Sequence, residues 1–193
     1  MRGKRRLILV GGGARSGKSA HALALARGLG SRRVFVATAR AGDDEMRARV
    51  ARHVADRGDD FLTIEEPMAV PELLADLSGP DVAVVDCLTL WLSNLLLSPS
   101  HAGGSPEVIE ARVEDLARAA RAAPFHVVLV TNEVGMGVHP ETQLGRTFRD
   151  LAGRAHQRLA RAADEVHLAV LGVVLRIHPG PVVALVPGDA EPR

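Results

Sequence analysis

Near its start the chain reads RLILVGGGARSGKSAHAL (residues 6–23), a short apolar run followed by a glycine cluster and then by an alanine- and leucine-rich segment. The apolar run is typical of a buried strand, and the last segment is typical of a helix. The residues between them match the pattern G-x-x-x-x-G-K-[S/T] in the strand–loop–helix context that it requires. The sequence therefore predicts a phosphate-binding loop formed by Gly12, Gly13, Ala14, Arg15, Ser16, Gly17, Lys18 and Ser19.

Each fixed position of this loop has a chemical role. Gly12 and Gly17 permit a tight turn whose backbone N–H groups face inward, at the positive end of the following helix. The Lys18 ammonium would lie between the outer two phosphates of a nucleotide, and the Ser19 hydroxyl would bind Mg²⁺. An ordinary glycine-rich turn before a helix needs neither the lysine nor the serine. The loop therefore predicts a nucleoside triphosphate bound together with magnesium.

A second magnesium-side group is expected at Asp86. The run VAVVD (82–86) is apolar up to its last residue, which is typical of a strand buried on both faces of a parallel sheet. Open α/β sheets bind their ligands at the carboxyl ends of such strands. The pattern alone also fits a helix cap or a loop aspartate, so Asp86 is predicted as a metal ligand only in combination with the phosphate loop.

Short apolar runs alternate with longer helical patterns along the chain, which indicates an α/β fold with a mostly parallel sheet flanked by helices. We expect a single domain over residues 1–193, with a core of about 6–177 and an edge strand with a frayed tail at 178–193. The predicted strands are 6–10, 33–39, 82–86 and 126–132, with one or two closing strands within 165–177. The predicted helices are 19–29, 43–58, 106–122 and 141–163.

The composition excludes several classes of protein. The 193 residues are 47% apolar, 24% charged and 3% aromatic, with a net charge of +1, as in a soluble globular protein that does not bind nucleic acid. No apolar run approaches the roughly 20 residues of a membrane helix, and the run after the basic start MRGKRR is too short for a signal peptide. The single cysteine, Cys87, permits no internal disulfide and suits a reducing compartment. We expect a cytoplasmic protein without a membrane span.

One histidine lies on the inward face of a predicted helix. In DDEMRARVARHV (43–54), Met46, Val50 and Val54 repeat every four residues and form the apolar stripe. At about 100° per residue, His53 returns to the side of Met46. Such a histidine is either a hydrogen-bonded core residue or a nucleophile whose imidazole attacks a nucleotide α-phosphate. The residues alone leave both interpretations open.

A second candidate site loop follows another predicted strand. VTNEVGMGVHPE (130–141) places Asn132 and Glu133 at the carboxyl tip of the strand, before two glycines and a proline. A loop at this edge of the sheet suits a functional site. A rigid turn explains the glycines and the proline equally well.

Five segments, taken together and in this order, resemble a known family: GGARSGKS, ATARAGDDEMRARVARH, VDCLTLWLSNLL, VTNEVGMGVHPE and FRDLAGRAHQRLARAADEV. They are similar to segments of the bifunctional adenosylcobinamide kinase / adenosylcobinamide-phosphate guanylyltransferase of cobalamin biosynthesis, from about residue 7 to about residue 177. The phosphate loop is shared by many enzymes, whereas TNEVGMG and the DDEM…RH segment are much more specific. The resemblance implies a single-domain P-loop NTPase fold of the RecA-like type.

The resemblance implies two reactions at one nucleotide site. ATP or GTP first phosphorylates the aminopropanol hydroxyl of adenosylcobinamide. GTP then transfers GMP to adenosylcobinamide phosphate, which gives adenosyl-GDP-cobinamide and pyrophosphate. In this family the second reaction passes through a guanylylated histidine, which matches His53. Mg²⁺ as the cofactor and a homotrimer are implied as well. Independently of the resemblance, Glu133 is a candidate base for the first reaction.

The nucleotide-binding residues of the family match further positions outside the phosphate loop. They are Thr38, Ala39, Arg40, Val54, Ala55, Asp56, Arg57, Glu65 and Asp86. The chain departs from the family at His156, where an asparagine is common, and by a tail after about residue 178. A simple small-molecule kinase and a nucleotide-dependent switch are the alternatives. The switch is disfavoured because the chain lacks a guanine-reading N-K-x-D segment.

Overall fold

The computed structural model describes residues 5–39, 58–98 and 105–185 of the chain. Within these ranges an 8-stranded sheet is flanked by helices on both faces. The strands are β1 (Leu7–Gly12), β2 (Arg33–Ala37), β3 (Leu62–Glu65), β4 (Val82–Asp86), β5 (His126–Asn132), β6 (Glu165–Val170), β7 (Val173–His178) and β8 (Val183–Leu185). The helices are α1 (Lys18–Leu29), α2 (Val70–Asp76), α3 (Leu88–Leu97), α4 (Pro106–Ala122) and α5 (Gln143–Ala162).

The order of the strands places β1 inside the sheet. The order is β3-β2-β4-β5-β1-β6-β7-β8, and neighbours from β3 to β6 are parallel, whereas β7 and β8 are antiparallel. Gly12, the last residue of β1, lies opposite Asn132 of β5 and Ala169 of β6. The carboxyl ends of these three strands therefore meet at one edge of the sheet, and the phosphate loop begins there.

The two faces of the sheet form two separate cores. Leu7 and Leu9 of β1 face a large cluster with α2, α3, α4 and α5, in which Trp91 is fully buried. Ile8 and Val10 face the opposite side, where α1 packs. The alternation follows from the two-residue side-chain period of a strand. Burial on both faces explains why the central strands are unbroken apolar runs.

Polar side chains mark the starts of the two long helices. The Ser105 hydroxyl accepts a hydrogen bond from the N–H of Val108 at the start of α4, and Pro106 is the first helical residue. The Thr142 hydroxyl accepts from the N–H of Gly145 at the start of α5. Each cap satisfies a backbone N–H that has no partner inside the helix.

The α/β fold and the mostly parallel sheet predicted from the sequence are confirmed. Strands β1, β2, β4 and β5 and helices α1, α4 and α5 lie within two residues of the predicted limits. The closing strands predicted within 165–177 are β6 and β7. The edge strand predicted after residue 178 is β8, so the sheet continues beyond the expected core limit of 177, while residues 186–193 lie outside the described residues.

Strand β3 and helices α2 and α3 are not predicted from the sequence. Strand β3 is short and lies at the edge of the sheet, with Leu62, Thr63 and Glu65 exposed, so it carries no continuous apolar run. The helix predicted at 43–58 lies outside the described residues, apart from Gly58 at the start of a short 3-10 helix. No helix in the described part of the chain is long and apolar enough to cross a membrane.

Candidate nucleotide site

The backbone of the phosphate loop has the form that an anion site needs. Arg15 and Gly17 have φ angles of 56° and 94°, in the left-handed region. The loop is closed by a hydrogen bond from the Ser16 N–H to the Gly13 carbonyl at 3.3 Å. Among the described residues, no side chain caps the N-terminus of α1. The N–H groups of its first turn and the positive end of the helix dipole therefore face the space that the loop surrounds.

Gly12 is required by close packing, since its φ angle is not among the positive ones that favour glycine. A Cβ atom added at this position would lie 2.5 Å from the Ala169 carbonyl oxygen and 2.6 Å from the Ser16 hydroxyl. Backbone atoms cannot yield to such a contact without a shift of β6 or of the loop. The motif in the sequence predicts the glycine, but its contact with β6 is visible only in the structure.

Two polar side chains of the loop are buried. Lys18 is only 8% exposed, and its ammonium donates a hydrogen bond to the Gly13 carbonyl at 3.1 Å. The Ser16 hydroxyl is buried and has no hydrogen-bond partner among the described residues. A buried hydroxyl without a partner costs free energy. A phosphate oxygen in the loop would supply an acceptor for it, which is a reason to regard the loop as a binding site.

Thr38 joins the carboxyl ends of β2 and β4. Its fully buried hydroxyl accepts a hydrogen bond from the Cys87 N–H and donates one to the Cys87 carbonyl, both at 2.8 Å. The Thr38 N–H donates to the Asp86 carbonyl at 3.2 Å. The Asn94 amide donates to the carbonyls of Thr38, at 2.8 Å, and of Pro67, at 3.0 Å. Thr38 and Asn94 thus fix the position of Asp86. Of these two residues, only Thr38 is predicted from the sequence.

The lysine of the loop and the aspartate of β4 lie near the same thiol. Burial raises the pKa of the Cys87 thiol, the Asp86 carboxylate raises it further, and the Lys18 ammonium lowers it. The Cys87 sulfur lies 3.1 Å from the Thr89 hydroxyl, which also accepts a hydrogen bond from the Asn132 amide at 2.9 Å. The strand register places Asp86 at the same carboxyl edge of the sheet as the phosphate loop that carries Lys18, as the sequence predicts. Thr89, which the sequence does not predict, lies beside Cys87 at this edge.

The loop after β5 is attached to the phosphate loop. The Glu133 N–H donates to the Gly12 carbonyl at 3.0 Å. One oxygen of the Glu133 carboxylate accepts from the Gly135 N–H, and the other lies 3.8 Å from Nδ1 of His156. Nε2 of His156 lies 2.7 Å from the Thr131 hydroxyl, and burial lowers the pKa of His156 although Glu133 acts in the opposite direction. Glu133 therefore stabilises its own turn.

The remaining predicted site residues fall into two groups. Glu65 ends β3 and is exposed, and Ala39 follows Thr38, so both lie at the carboxyl edge of the sheet. The others lie outside the described residues: Arg40, His53, Val54, Ala55, Asp56 and Arg57.

A chain of polar side chains that the sequence does not predict lies beside the site. Nε2 of His21 lies 3.0 Å from Nδ1 of His167, whose Nε2 lies 3.1 Å from Glu165, and Glu165 pairs with Arg6 at 2.8 Å. Burial, and then the charge of His167, lower the pKa of His21 to about 4. The hydrogen bond from His167, with a further contribution from Arg6, lowers the pKa of Glu165 to about 2. The only signal in the sequence is the two-residue spacing of Glu165 and His167 within β6.

A family model described as cobinamide kinase / cobinamide phosphate guanyltransferase matches residues 8–177. The chain belongs to this family. The resemblance seen in the sequence motifs is thereby confirmed, and the match runs from the second residue of β1 to the last but one of β7.

Curated relatives of the family are similar over nearly their whole length. The chain is 43% identical over 180 residues to the bifunctional adenosylcobalamin biosynthesis protein CobU of Escherichia coli, and 44% identical over 183 residues to that of Salmonella typhimurium. Each alignment covers 89% of this chain and 99% of the relative. The protein CobP of Pseudomonas aeruginosa is 40% identical over 166 residues, which cover 86% of this chain and 93% of the relative.

A solved structure supports the fold assignment. The RadB recombinase superposes with a TM-score of 0.51 at 14% sequence identity, over 93% of this chain and 86% of that chain. The likeness concerns the fold alone. The chain has the RecA-like P-loop NTPase fold predicted from the sequence.

Proposed function

We propose that this chain catalyses two successive transfers to adenosylcobinamide in cobalamin biosynthesis. ATP or GTP first phosphorylates the acceptor hydroxyl, and GTP then donates GMP to the new phosphate. The observation that carries the proposal is the family match over residues 8–177. The phosphate loop supports it, because its backbone and its buried Lys18 suit a triphosphate, as does the Ser16 hydroxyl, which has no partner among the described residues.

In the first reaction, the acceptor oxygen attacks the terminal phosphorus and the bond to the bridging oxygen breaks. The loop N–H groups and Lys18 would hold the phosphate oxygens while charge develops on the leaving group. The acceptor hydroxyl also loses its proton. We assign this proton to no side chain, because both oxygens of the Glu133 carboxylate face the Gly135 N–H and His156.

In the second reaction, we propose that a ring nitrogen of His53 attacks the α-phosphorus of GTP. The bond from that phosphorus to the pyrophosphate oxygen breaks, and a phosphoramidate of GMP forms on the histidine. An oxygen of adenosylcobinamide phosphate then attacks the same phosphorus, the N–P bond breaks, and His53 is restored. Only a ring nitrogen without a proton can attack, so this reaction requires neutral His53.

The donor groups at the carboxyl edge suit magnesium. Mg²⁺ prefers oxygen ligands and is usually bound by one or two carboxylates together with substrate phosphates. The Ser19 hydroxyl at the start of α1 and the Asp86 carboxylate at the end of β4 are such groups. We propose that they hold Mg²⁺, which would neutralise charge on the triphosphate when bound.

Further features are proposed from the family resemblance. The nucleotide contacts outside the loop are assigned to Thr38, Ala39, Arg40, Val54, Ala55, Asp56, Arg57, Glu65 and Asp86. For Thr38 the structure favours an indirect role, since its hydroxyl is occupied by the Cys87 backbone. We also propose a cytoplasmic homotrimer with no nucleic-acid partner, whose assembly can be measured by light scattering after size-exclusion chromatography.

The test is incubation of the protein with α-labelled GTP and Mg²⁺, followed by denaturation. Acid-labile label on the wild type and none on His53→Ala is the expected result, with His126→Ala as a matched histidine control. Phosphorylation of cobinamide without protein labelling would reduce the chain to a simple kinase. Nucleotide turnover that ignores added cobinamide would instead indicate a switch, and either outcome would overturn the proposal as stated.

A further inference from the structure

Two exposed apolar segments lie on either side of the phosphate loop. One is the tip of the β6–β7 hairpin, residues 170–173, where the side chain of Leu171 is 96% exposed. The other is the loop after β5, residues 134–138, where Met136 is 83% and Val138 94% exposed. Neither segment contains a charged residue. Groups of exposed apolar side chains are typical of binding sites.

The hairpin tip has a residue that its turn does not favour. Strand β6 ends at Val170 and pairs there with Val173, so Leu171 and Gly172 form a two-residue turn. Their φ angles, 52° and 81°, are both positive, as in a type I′ turn. Asn-Gly is the preferred pair for such a turn, and leucine adopts a left-handed conformation only at a cost. Because Leu171 is also almost fully exposed, neither the turn nor the core accounts for it.

The loop after β5 is held at both ends and exposed between them. The Glu133 N–H binds the Gly12 carbonyl. At the other end the Arg146 guanidinium donates to the carbonyls of Pro140, at 3.1 Å, and Glu141, at 2.7 Å. The backbone is therefore anchored to the phosphate loop and to α5, while the side chains of residues 136 and 138 project into solvent.

The strand register places the two segments next to the proposed reaction centre. Asn132 and Ala169 both lie opposite Gly12, one on each side. They are two strand spacings apart, which is about 10 Å. The phosphate loop rises between them. An acceptor whose hydroxyl reaches the outer phosphate of a bound nucleotide must approach this same edge of the sheet.

We propose that residues 134–138 and 170–173 together form the docking surface for the corrin macrocycle of the acceptor. This inference rests on the proposed function and deepens it. A corrin ring is too broad to enter the narrow loop, so it must lie outside while its side chain delivers the hydroxyl to the phosphate. Between its amide side chains, the ring carbons and methyl groups offer apolar contacts. Uncharged apolar segments suit this ligand, and they leave recognition of the triphosphate to the loop N–H groups and Lys18.

Leu171→Asn is the sharpest test, because asparagine before glycine suits the type I′ turn. The variant should unfold at the same temperature as the wild type or higher. Its Kd for cobinamide, measured by equilibrium dialysis with a non-hydrolysable GTP analogue present, should rise about tenfold through the loss of apolar contact. Its Kd for the nucleotide should be unchanged. Met136→Ser should give the same pattern from the opposite side of the loop.

Leu62→Ser is the matched control. Leu62 is 65% exposed and begins β3, at the opposite edge of the sheet, so its substitution should leave both dissociation constants unchanged. Wild-type binding of cobinamide with unaltered affinity in Leu171→Asn and Met136→Ser would overturn this inference alone. A change of oligomeric state in these variants would also overturn it, since the segments would then be subunit contacts. Wild-type protein that binds no cobinamide would overturn the proposed function as well.

Discussion

The Thr38 hydroxyl forms two hydrogen bonds with the backbone of one residue, Cys87, although the two residues are 49 positions apart in the sequence. Both distances are 2.8 Å, and the hydroxyl is completely buried. The pair ties the end of β2 to the end of β4. It therefore fixes the residue immediately before Cys87, the proposed magnesium ligand Asp86.

Thr38→Val should destabilise the protein by about 1–3 kcal/mol, because it leaves the Cys87 N–H buried without a partner. The Cys87 carbonyl keeps a hydrogen bond from the Trp91 N–H at 3.1 Å. Thr38→Ser keeps the hydroxyl and should cost about 1 kcal/mol, from the lost methyl group. Denaturant unfolding measures both values. Equal losses in the two variants would show that the hydroxyl contributes nothing.

Gly12→Ala should destabilise the protein by about 1–3 kcal/mol through overpacking, because its new Cβ would meet the Ala169 carbonyl at 2.5 Å. Nucleotide affinity should fall with it. Gly13→Ala is the control from the same loop, since a Cβ there would meet nothing within 4 Å. Thermal unfolding with and without nucleotide compares the two variants, and equal stability would contradict the close approach of β1 and β6.

Lys18→Ala should lower kcat/KM of the kinase reaction about 100- to 1000-fold, because one charged donor to the phosphates is removed. Lys18→Arg should not restore the activity, since the planar guanidinium differs from an ammonium in shape and the site is buried. Steady-state kinetics with ATP and cobinamide provide the measurement. A loss of less than tenfold in Lys18→Ala would exclude the proposed role.

Acidification should destabilise the fold through His21. Its pKa is lowered from 6.5 to about 4 in the folded protein by burial and by His167. As the pH falls, His21 is therefore protonated in the unfolded chain before it is protonated in the folded protein. The stability from neutral His21 is complete above pH 6.5 and is lost as the pH falls towards 4. His21→Gln should therefore show a flatter dependence of unfolding free energy on pH in this window, and an unchanged slope would contradict the lowered pKa.

Glu165 should contribute to the pH dependence of stability in a separate, more acidic pH range. Its pKa is lowered from 4.5 to about 2, first by the hydrogen bond from His167. Its contribution is therefore complete above pH 4.5 and is lost as the pH falls towards 2. Glu165→Gln should flatten the pH dependence of urea unfolding below pH 4.5. A change confined to higher pH would contradict this assignment.

GMP loading of the protein should weaken below the ordinary imidazole pKa of about 6.5, because protonated His53 cannot attack phosphorus. Label transferred from α-labelled GTP in a single turnover, measured between pH 5 and 8, gives the profile. Constant loading over this range would count against a histidine nucleophile. Folding should be followed at each pH, so that the effect of His21 is separated from that of His53.

Much of the fold could be predicted from local patterns, and the exceptions have physical causes. Strands β4 and β5 are unbroken apolar runs, because helices cover both of their faces, and their limits agree with the predictions. Strand β3 was not predicted, because an edge strand with exposed Leu62 and Glu65 has no apolar run. In the site, Lys18 and Asp86 were found through a motif and a strand end, whereas Asn94 and Thr89 have no local signature.

The sequence by itself determined the phosphate loop, the strand and helix around it, the α/β class and the family, because these depend on residues adjacent in the chain. The tertiary structure decided which distant residues meet. It placed β6 against Gly12, tied Thr38 to Cys87, and set the tips at Leu171 and Met136 on either side of the loop. Such contacts depend on the order of the strands in the sheet, and side-chain periodicity carries no information about that order.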